Sequence, residues 1–190
     1  MNVVAISASP RQGSNSNVLI DEAIKALGVA ESDAKKYVIN DLQAIGCQAC
    51  YSCKTKTEYC VVKDEMAPVL SAVASADFVV FASPVYIGDL TAQAKIFIDR
   101  SFSWLKPDFR DLEMAGRLAP GKKLLFLVTQ GDPDLGTYEM VVTRYLEYFR
   151  WLGFKAGAVH GADLNQKEAA KSRLELLAEV RAKAKELAMA

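Results

Sequence analysis

NVVAISASPRQGSNSNVL, residues 2–19, is the stretch whose reading decides the fold. An apolar strand, Val3-Val4-Ala5-Ile6, runs into a loop of small polar residues, and that loop opens a helix at Val18-Leu19. Between Ser7 and Asn17 stand four serines, two asparagines, one glycine, one arginine and no acid. Small residues let the backbone approach a ligand closely, and the N–H groups of a helix N-terminus favour an anion. Ser9, Ser14, Asn15, Ser16 and Asn17 add neutral donors, and Arg11 can grip a phosphate in a bidentate way. The loop reads as a cradle for a phosphate monoester, with a polar surface helix cap as the alternative. It matches neither the dinucleotide fingerprint nor the P-loop pattern.

Working outward, a first helix runs from about Asn17 to Leu27, where Gly28 is placed to end it, and a second strand is expected at Lys36–Ile39. Asp64 caps a helix over 65–75. The run Phe78-Val79-Val80-Phe81-Ala82 is short and continuously apolar, as in a central strand buried on both faces. A helix starts near Thr91 and runs through Phe102. Residues 105–120 hold Pro107, Gly116 and Pro120 among mixed charges and read as an irregular excursion. With Trp104 before it, that segment is a candidate subunit contact or an exposed polar insertion. Leu124–Val128 and Phe154–Val159 are the last strands, with a helix over 138–152 between them. Asn165 followed by Glu168 resembles a capping box ahead of a final helix carrying Leu174, Leu177, Val180, Ala184 and Leu187 on one face.

Five strands alternating with five helices give an α/β fold: a doubly wound parallel sheet of flavodoxin-like order 2-1-3-4-5 with helices on both faces. One domain is expected over 1–190, with a cysteine-rich loop at 41–62 and the excursion at 105–120. Lysine plus arginine and aspartate plus glutamate balance at 23 each, which argues against a nucleic-acid partner. No apolar run approaches the roughly 20 residues that span a membrane, and no secretory leader is evident, so a cytoplasmic location is expected.

In such sheets ligands bind outside the carboxyl ends of the strands, where loops 7–17, 83–88 and 129–133 would converge. Pro84, Val85, Tyr86, Ile87 and Gly88 offer backbone amides and an aromatic ring for a flat ring system such as a flavin. The alternative is that Pro84 and Gly88 only shape a turn and Tyr86 is packing. Thr129, Gln130 and Gly131 are weaker candidates for the same ring or its ribityl chain. His160, the only histidine, reads as a solvated residue at a strand end.

All four cysteines fall within 47–60, as Cys47-x2-Cys50-x2-Cys53 and then Cys60. Three in series at this spacing fit a [4Fe–4S] cluster better than zinc, whose usual unit is two separated pairs. A zinc knuckle, disulfides formed on oxidation, and free thiols in a mobile loop remain alternatives.

The stretches SASPRQGSNSN, GCQACYSCKTKTEYCVVKDEM and SPVYIGDLTAQAKIFIDRS together resemble the iron–sulfur flavoproteins of the NADPH-dependent FMN reductase-like superfamily. The resemblance implies that Ser9, Arg11, Asn15 and Ser16 hold the FMN phosphate. It implies that Pro84, Val85, Tyr86 and Gly88 meet the isoalloxazine, and that Cys47, Cys50, Cys53 and Cys60 ligate a [4Fe–4S] cluster. It further implies a homodimer or homotetramer that passes electrons from a ferredoxin-type donor to FMN and on to a small-molecule acceptor. Many relatives keep some of these cysteines yet act as NAD(P)H-dependent FMN or quinone reductases with no cluster, and that is the alternative function. A sensor whose cysteine loop responds to oxygen or zinc is a third.

Overall fold

A computed structural model describes residues 1–190. Six strands form: β1 (Val3–Ser7), β2 (Lys35–Val38), β3 (Phe78–Tyr86), β4 (Asp89–Leu90), β5 (Lys123–Thr129) and β6 (Lys155–Gly161). The helices are α1 (Asn15–Ala26), α2 (Ser52–Thr55), α3 (Met66–Ser75), α4 (Ala92–Arg100), α5 (Glu139–Trp151) and α6 (Leu174–Met189). Five strands run parallel in the order β2-β1-β3-β5-β6, while two-residue β4 folds back antiparallel on β3. With that hairpin set aside, the order is the expected 2-1-3-4-5.

Both faces of the sheet are covered, so the central strands are apolar without alternation. Val4, Ile6, Val79, Phe81, Leu124 and Phe126 point to α3, α4 and α5 in one core of 27 buried residues. Val3, Ala5, Phe78, Val80, Leu125 and Leu127 point to α1 and α6 in a second core of 19. Phe81 is the hub of the larger core, with ring centroids 5.2 Å from Phe97 and 5.6 Å from both Phe126 and Phe149. Each such ring, fully buried, contributes about 1.5–3 kcal/mol.

Several boundaries move for identifiable reasons. α1 begins two residues earlier than expected, because Ser14 Oγ accepts from Asn17 N at 3.1 Å and caps it. Gly28, at φ +69, ends that helix. α4 stops at Arg100, and the chain tightens into a 3-10 turn over Ser101–Trp104. The capping box does not form: Glu168 sits at φ +56 outside the helix, and α6 starts only at Leu174 with no side-chain cap. Asn165 instead donates from Nδ2 to Gly131 O at 2.8 Å.

The excursion is tied down at its ends, while its middle, from Pro107 to Met114, is largely exposed. Leu105 and Gly116 form an isolated bridge, and Ala115 N donates to Trp151 O at 3.1 Å. Trp104 is 5% exposed, packed against Phe97 and Phe154, so it is a core residue and not a subunit contact. Gly116 is required there: a Cβ on it would lie 1.8 Å from Leu152 O.

Candidate functional site

The strand order reverses between β1 and β3, so the loops after them diverge and leave a crevice. A cleft of about 480 Å³ opens there, within the range that holds cofactor-sized ligands. Loop 9–16 supplies Ser9, Arg11, Ser14, Asn15 and Ser16; the end of β3 supplies Pro84, Val85 and Tyr86; and 129–131 supplies Thr129, Gln130 and Gly131. Asn17, Ile87 and Gly88 do not line it. Ile87 and Gly88 form the tip of the β3–β4 hairpin, both at positive φ, with Ile87 fully exposed. A larger groove, about 680 Å³, runs along α1 among Asp21, Glu22, Lys25 and Lys36, and it is there that Asn17 lies, beside Gly13 and Ser14.

Asp132, from the expected loop 129–133, also lines the cleft, as do Tyr138, Leu164 and Asn165, which lie outside the three expected loops. The signal for the last two was available. β6 lies parallel beside β5, so the loop after it must open on the same side of the sheet. Gly131 and Asn165 touch so closely that a Cβ on Gly131 would sit 2.2 Å from Asn165 Oδ1.

The first turn of α1 carries no acidic residue, and its leading N–H groups have no intrahelical acceptor. Asn15, 6% exposed, is fully engaged within the protein. Its Nδ2 donates to Leu164 O and Gln166 O, both at 2.9 Å, and its Oδ1 accepts from Ala170 N at 2.9 Å. Arg11 Nη1 donates to Asn165 O at 2.8 Å, which leaves its other nitrogens facing outward. Ser16 and Thr129 hydroxyls pair at 3.2 Å across the base of the cleft. Gln130 is 2% exposed, and its Nε2 donates to Asp132 O and Asp134 O. Its Oε1 is buried and has no hydrogen-bond partner within the protein.

The four cysteines line one small pocket together with Arg100, Phe102 and Ser103. Cys47 and Cys50 are exposed, Cys53 is buried and Cys60 lies between. The loop that brings them together turns through two left-handed non-glycine residues, Ala49 (φ 49) and Tyr51 (φ 56), then through α2. Cations and amides face the sulfurs. Arg100 Nε donates to Cys60 Sγ at 3.1 Å and Lys54 Nζ to Cys53 Sγ at 3.4 Å. Hydrogen bonds from Ser52 hold the Cys50 thiol below its ordinary pKa. Burial pulls Lys54 down, partly offset by the neighbouring Cys53. The space between the sulfurs is only about 20 Å³, room for roughly one water, and no three Cys, His, Asp or Glu side chains converge as a metal-ligating set.

His160 lies within β6 and is half-buried, not a solvated terminus. Burial lowers its pKa, with Glu139 opposing, and its Nε2 has no partner.

Residues 1–138 match the model of the family described as NADPH-dependent FMN reductase. An iron–sulfur flavoprotein of Archaeoglobus fulgidus is 38% identical over 100 residues, 53% of this chain and 45% of that one. One from Methanosarcina thermophila is 30% identical over 109 residues, 57% of this chain and 56% of that one. The matched stretches span about half the length of these curated relatives. An FMN-dependent NADH-azoreductase from Bacillus anthracis, solved in complex with FMN, superposes with a TM-score of 0.68 at 14% identity, covering 99% of this chain and 100% of that one. That likeness is one of fold. The chain belongs to the NADPH-dependent FMN reductase family, a family of FMN-dependent oxidoreductases.

Proposed function

We propose that residues 1–190 act as a single FMN-binding domain that transfers electrons between a protein donor and FMN through a [4Fe–4S] cluster. One observation carries the flavin half: the acid-free first turn of α1 opens on the same cleft as Pro84–Tyr86 and Thr129–Gly131. FMN, when bound, supplies hydride and single-electron chemistry. The protein's share is placement. Ser9, Arg11, Ser14, Ser16 and the amides at the start of α1 would hold the phosphate, assisted by Asn17 at the cap. Pro84, Val85, Tyr86, Ile87 and Gly88 would meet the ring from the hairpin, and Thr129, Gln130 and Gly131 its polar edge and ribityl chain. Asn15 enters as the residue that holds the loop in shape, its amide being engaged elsewhere.

A cluster would supply one-electron transfer. Cys47, Cys50, Cys53 and Cys60 would ligate it, and the donor chemistry fits: four thiols on one pocket, with Arg100 and Lys54 directed at two of them. The loop must widen to admit it. A protein donor of the ferredoxin type, acidic at its contact face, is supported by the adjoining groove of about 400 Å³. Lys54, Lys56, Lys106 and Arg117 line that groove against the single acid Glu58, and none of the four cations sits in an ion pair. The electron acceptor would be a small molecule. Exposed Tyr86, Ile87, Leu135 and Met140 support a homodimer or homotetramer. Four free thiols fit a reducing compartment, the basis for a cytoplasmic placement. No helix is long and apolar enough to cross a membrane.

A second reading, an NAD(P)H-dependent FMN or quinone reductase without a cluster, is favoured by the closed, non-converging arrangement of the thiols. Iron and acid-labile sulfide per FMN, measured on protein purified without oxygen, separate the two. About four of each per flavin supports the cluster. Flavin without iron after reconstitution, together with NADPH turnover, selects the reductase. No flavin uptake refutes both.

A further inference from the structure

Arg100, the last residue of α4, is 1% exposed and is the largest fully buried side chain of the protein. A guanidinium has five N–H donors, and here all five are committed to the chain around the cysteines. Nε donates to Cys60 Sγ at 3.1 Å. Nη1 donates to Ile45 O at 3.0 Å and Asp64 Oδ2 at 2.7 Å. Nη2 donates to Val62 O at 3.2 Å and Asp64 Oδ1 at 3.1 Å. Ile45 precedes the first cysteine; Cys60, Val62 and Asp64 lie at the other end. One planar group therefore clasps both ends of the loop. Asp64 completes the clasp by accepting from Ile45 N at 3.0 Å and Met66 N at 3.1 Å. A surface anchor would need none of this burial, and a purely structural ion pair would not aim Nε at a sulfur.

We propose that Arg100 is the positioning residue of the iron–sulfur centre: it fixes Cys60 as the fourth ligand and offsets part of the negative charge on the ligating sulfurs. This rests on the cluster reading above. The spacing of six residues before Cys60 leaves that thiol the least constrained by sequence, and Arg100 supplies the missing constraint through space. An N–H directed at a ligand sulfur, on a group that stays charged, favours the more negative, reduced form and so raises the reduction potential. Lysine cannot reproduce the five-donor fork.

The test has two parts. Wild-type protein made with 15N-labelled arginine, purified without oxygen and reduced, is examined by pulsed paramagnetic resonance. The expected result is a 15N hyperfine coupling to the reduced cluster. Among the arginines only Arg100 donates to a cysteine sulfur, because Arg117 reaches the carbonyls of Cys53 and Leu105 instead. In R100K the coupling should vanish and the midpoint potential should move to more negative values, with the FMN content unchanged. A cluster present with no arginine coupling overturns the assignment, and the labelled wild type suffices for this even if R100K does not fold. An R100K potential equal to wild type also overturns it. Wild-type protein without iron and sulfide, before and after reconstitution, overturns the cluster reading itself and the assignment with it.

Discussion

Asn15→Ala is the substitution that most directly separates what the residue type suggests from what its contacts do. Asparagine at the mouth of a phosphate loop suggests a ligand contact, yet its carboxamide makes three internal hydrogen bonds, to Leu164 O, Gln166 O and Ala170 N. At about 1 kcal/mol each, their loss puts the destabilisation at about 3 kcal/mol. Ala170 is 0% exposed, so its N–H finds no water in exchange, which keeps the value from falling much lower. For a chain of this size each kcal/mol moves Tm by about 2–4 °C, so a drop of about 6–12 °C follows. The assay is urea unfolding of the protein freed of flavin, where Cm should fall at unchanged m. Asn15→Asp keeps an acceptor for Ala170 N but sets a carboxylate oxygen against two carbonyls, so it should be no more stable than the alanine variant. An Asn15→Ala apoprotein within about 0.5 kcal/mol of wild type, with FMN affinity alone reduced, would refute the reasoning and return Asn15 to the role of a direct phosphate contact.

Gly116→Ala should lower stability by about 3 kcal/mol or more, read as Tm, because the clash is with the backbone carbonyl of Leu152 and no side chain can yield. His160 gives a pH signature that no other residue shares, since it is the only histidine. Burial depresses its folded pKa below the unfolded value of about 6.5, so the unfolded chain takes up the proton first. Stability should therefore fall as pH drops below about 6.5 until the folded pKa is passed, and His160→Gln should flatten that part of the curve in calorimetry. Charge reversal in the basic groove, Lys56→Glu with Lys106→Glu, should slow reduction by an acidic ferredoxin at low salt while leaving reduction by dithionite unchanged; equal rates with ferredoxin would count against the groove as its contact face.

The strands, their order and three of the cleft loops are legible in sequence because each rests on a local signal. Phe78–Ala82 announces a central strand by its own apolar run, and Ser14 and Gly28 bound α1 by their own chemistry. What was not legible depends on partners far away in the chain. Asn165 looked like a helix cap because local spacing cannot reveal that Gly131, 34 residues earlier, would take its side chain. Trp104 looked available for a contact because nothing nearby in sequence marks Phe97 and Phe154 as its neighbours. The three internal partners of Asn15, at residues 164–170, are hidden from local sequence for the same reason. Arg100 lies in a stretch that carries the family resemblance, but nothing local assigns it a task, and only the folded chain gathers Ile45, Cys60, Val62 and Asp64 around it.

The links from the first loop to residues 164–170 bear on the order in which the molecule can be assembled. Arg11, Gly13 and Asn15 are all bonded to Asn165, Glu168 and Ala170, at separations such as 154 and 155 residues. A loop at residues 11–15 is thus completed by partners 154 and 155 residues further along the chain. During synthesis β1 and α1 must wait for that segment, and contacts of such long range come late in folding. The loop can therefore take its final shape only once residues 164–170 have been made, and a chain stalled before Leu164 would leave Arg11, Gly13 and Asn15 without these partners.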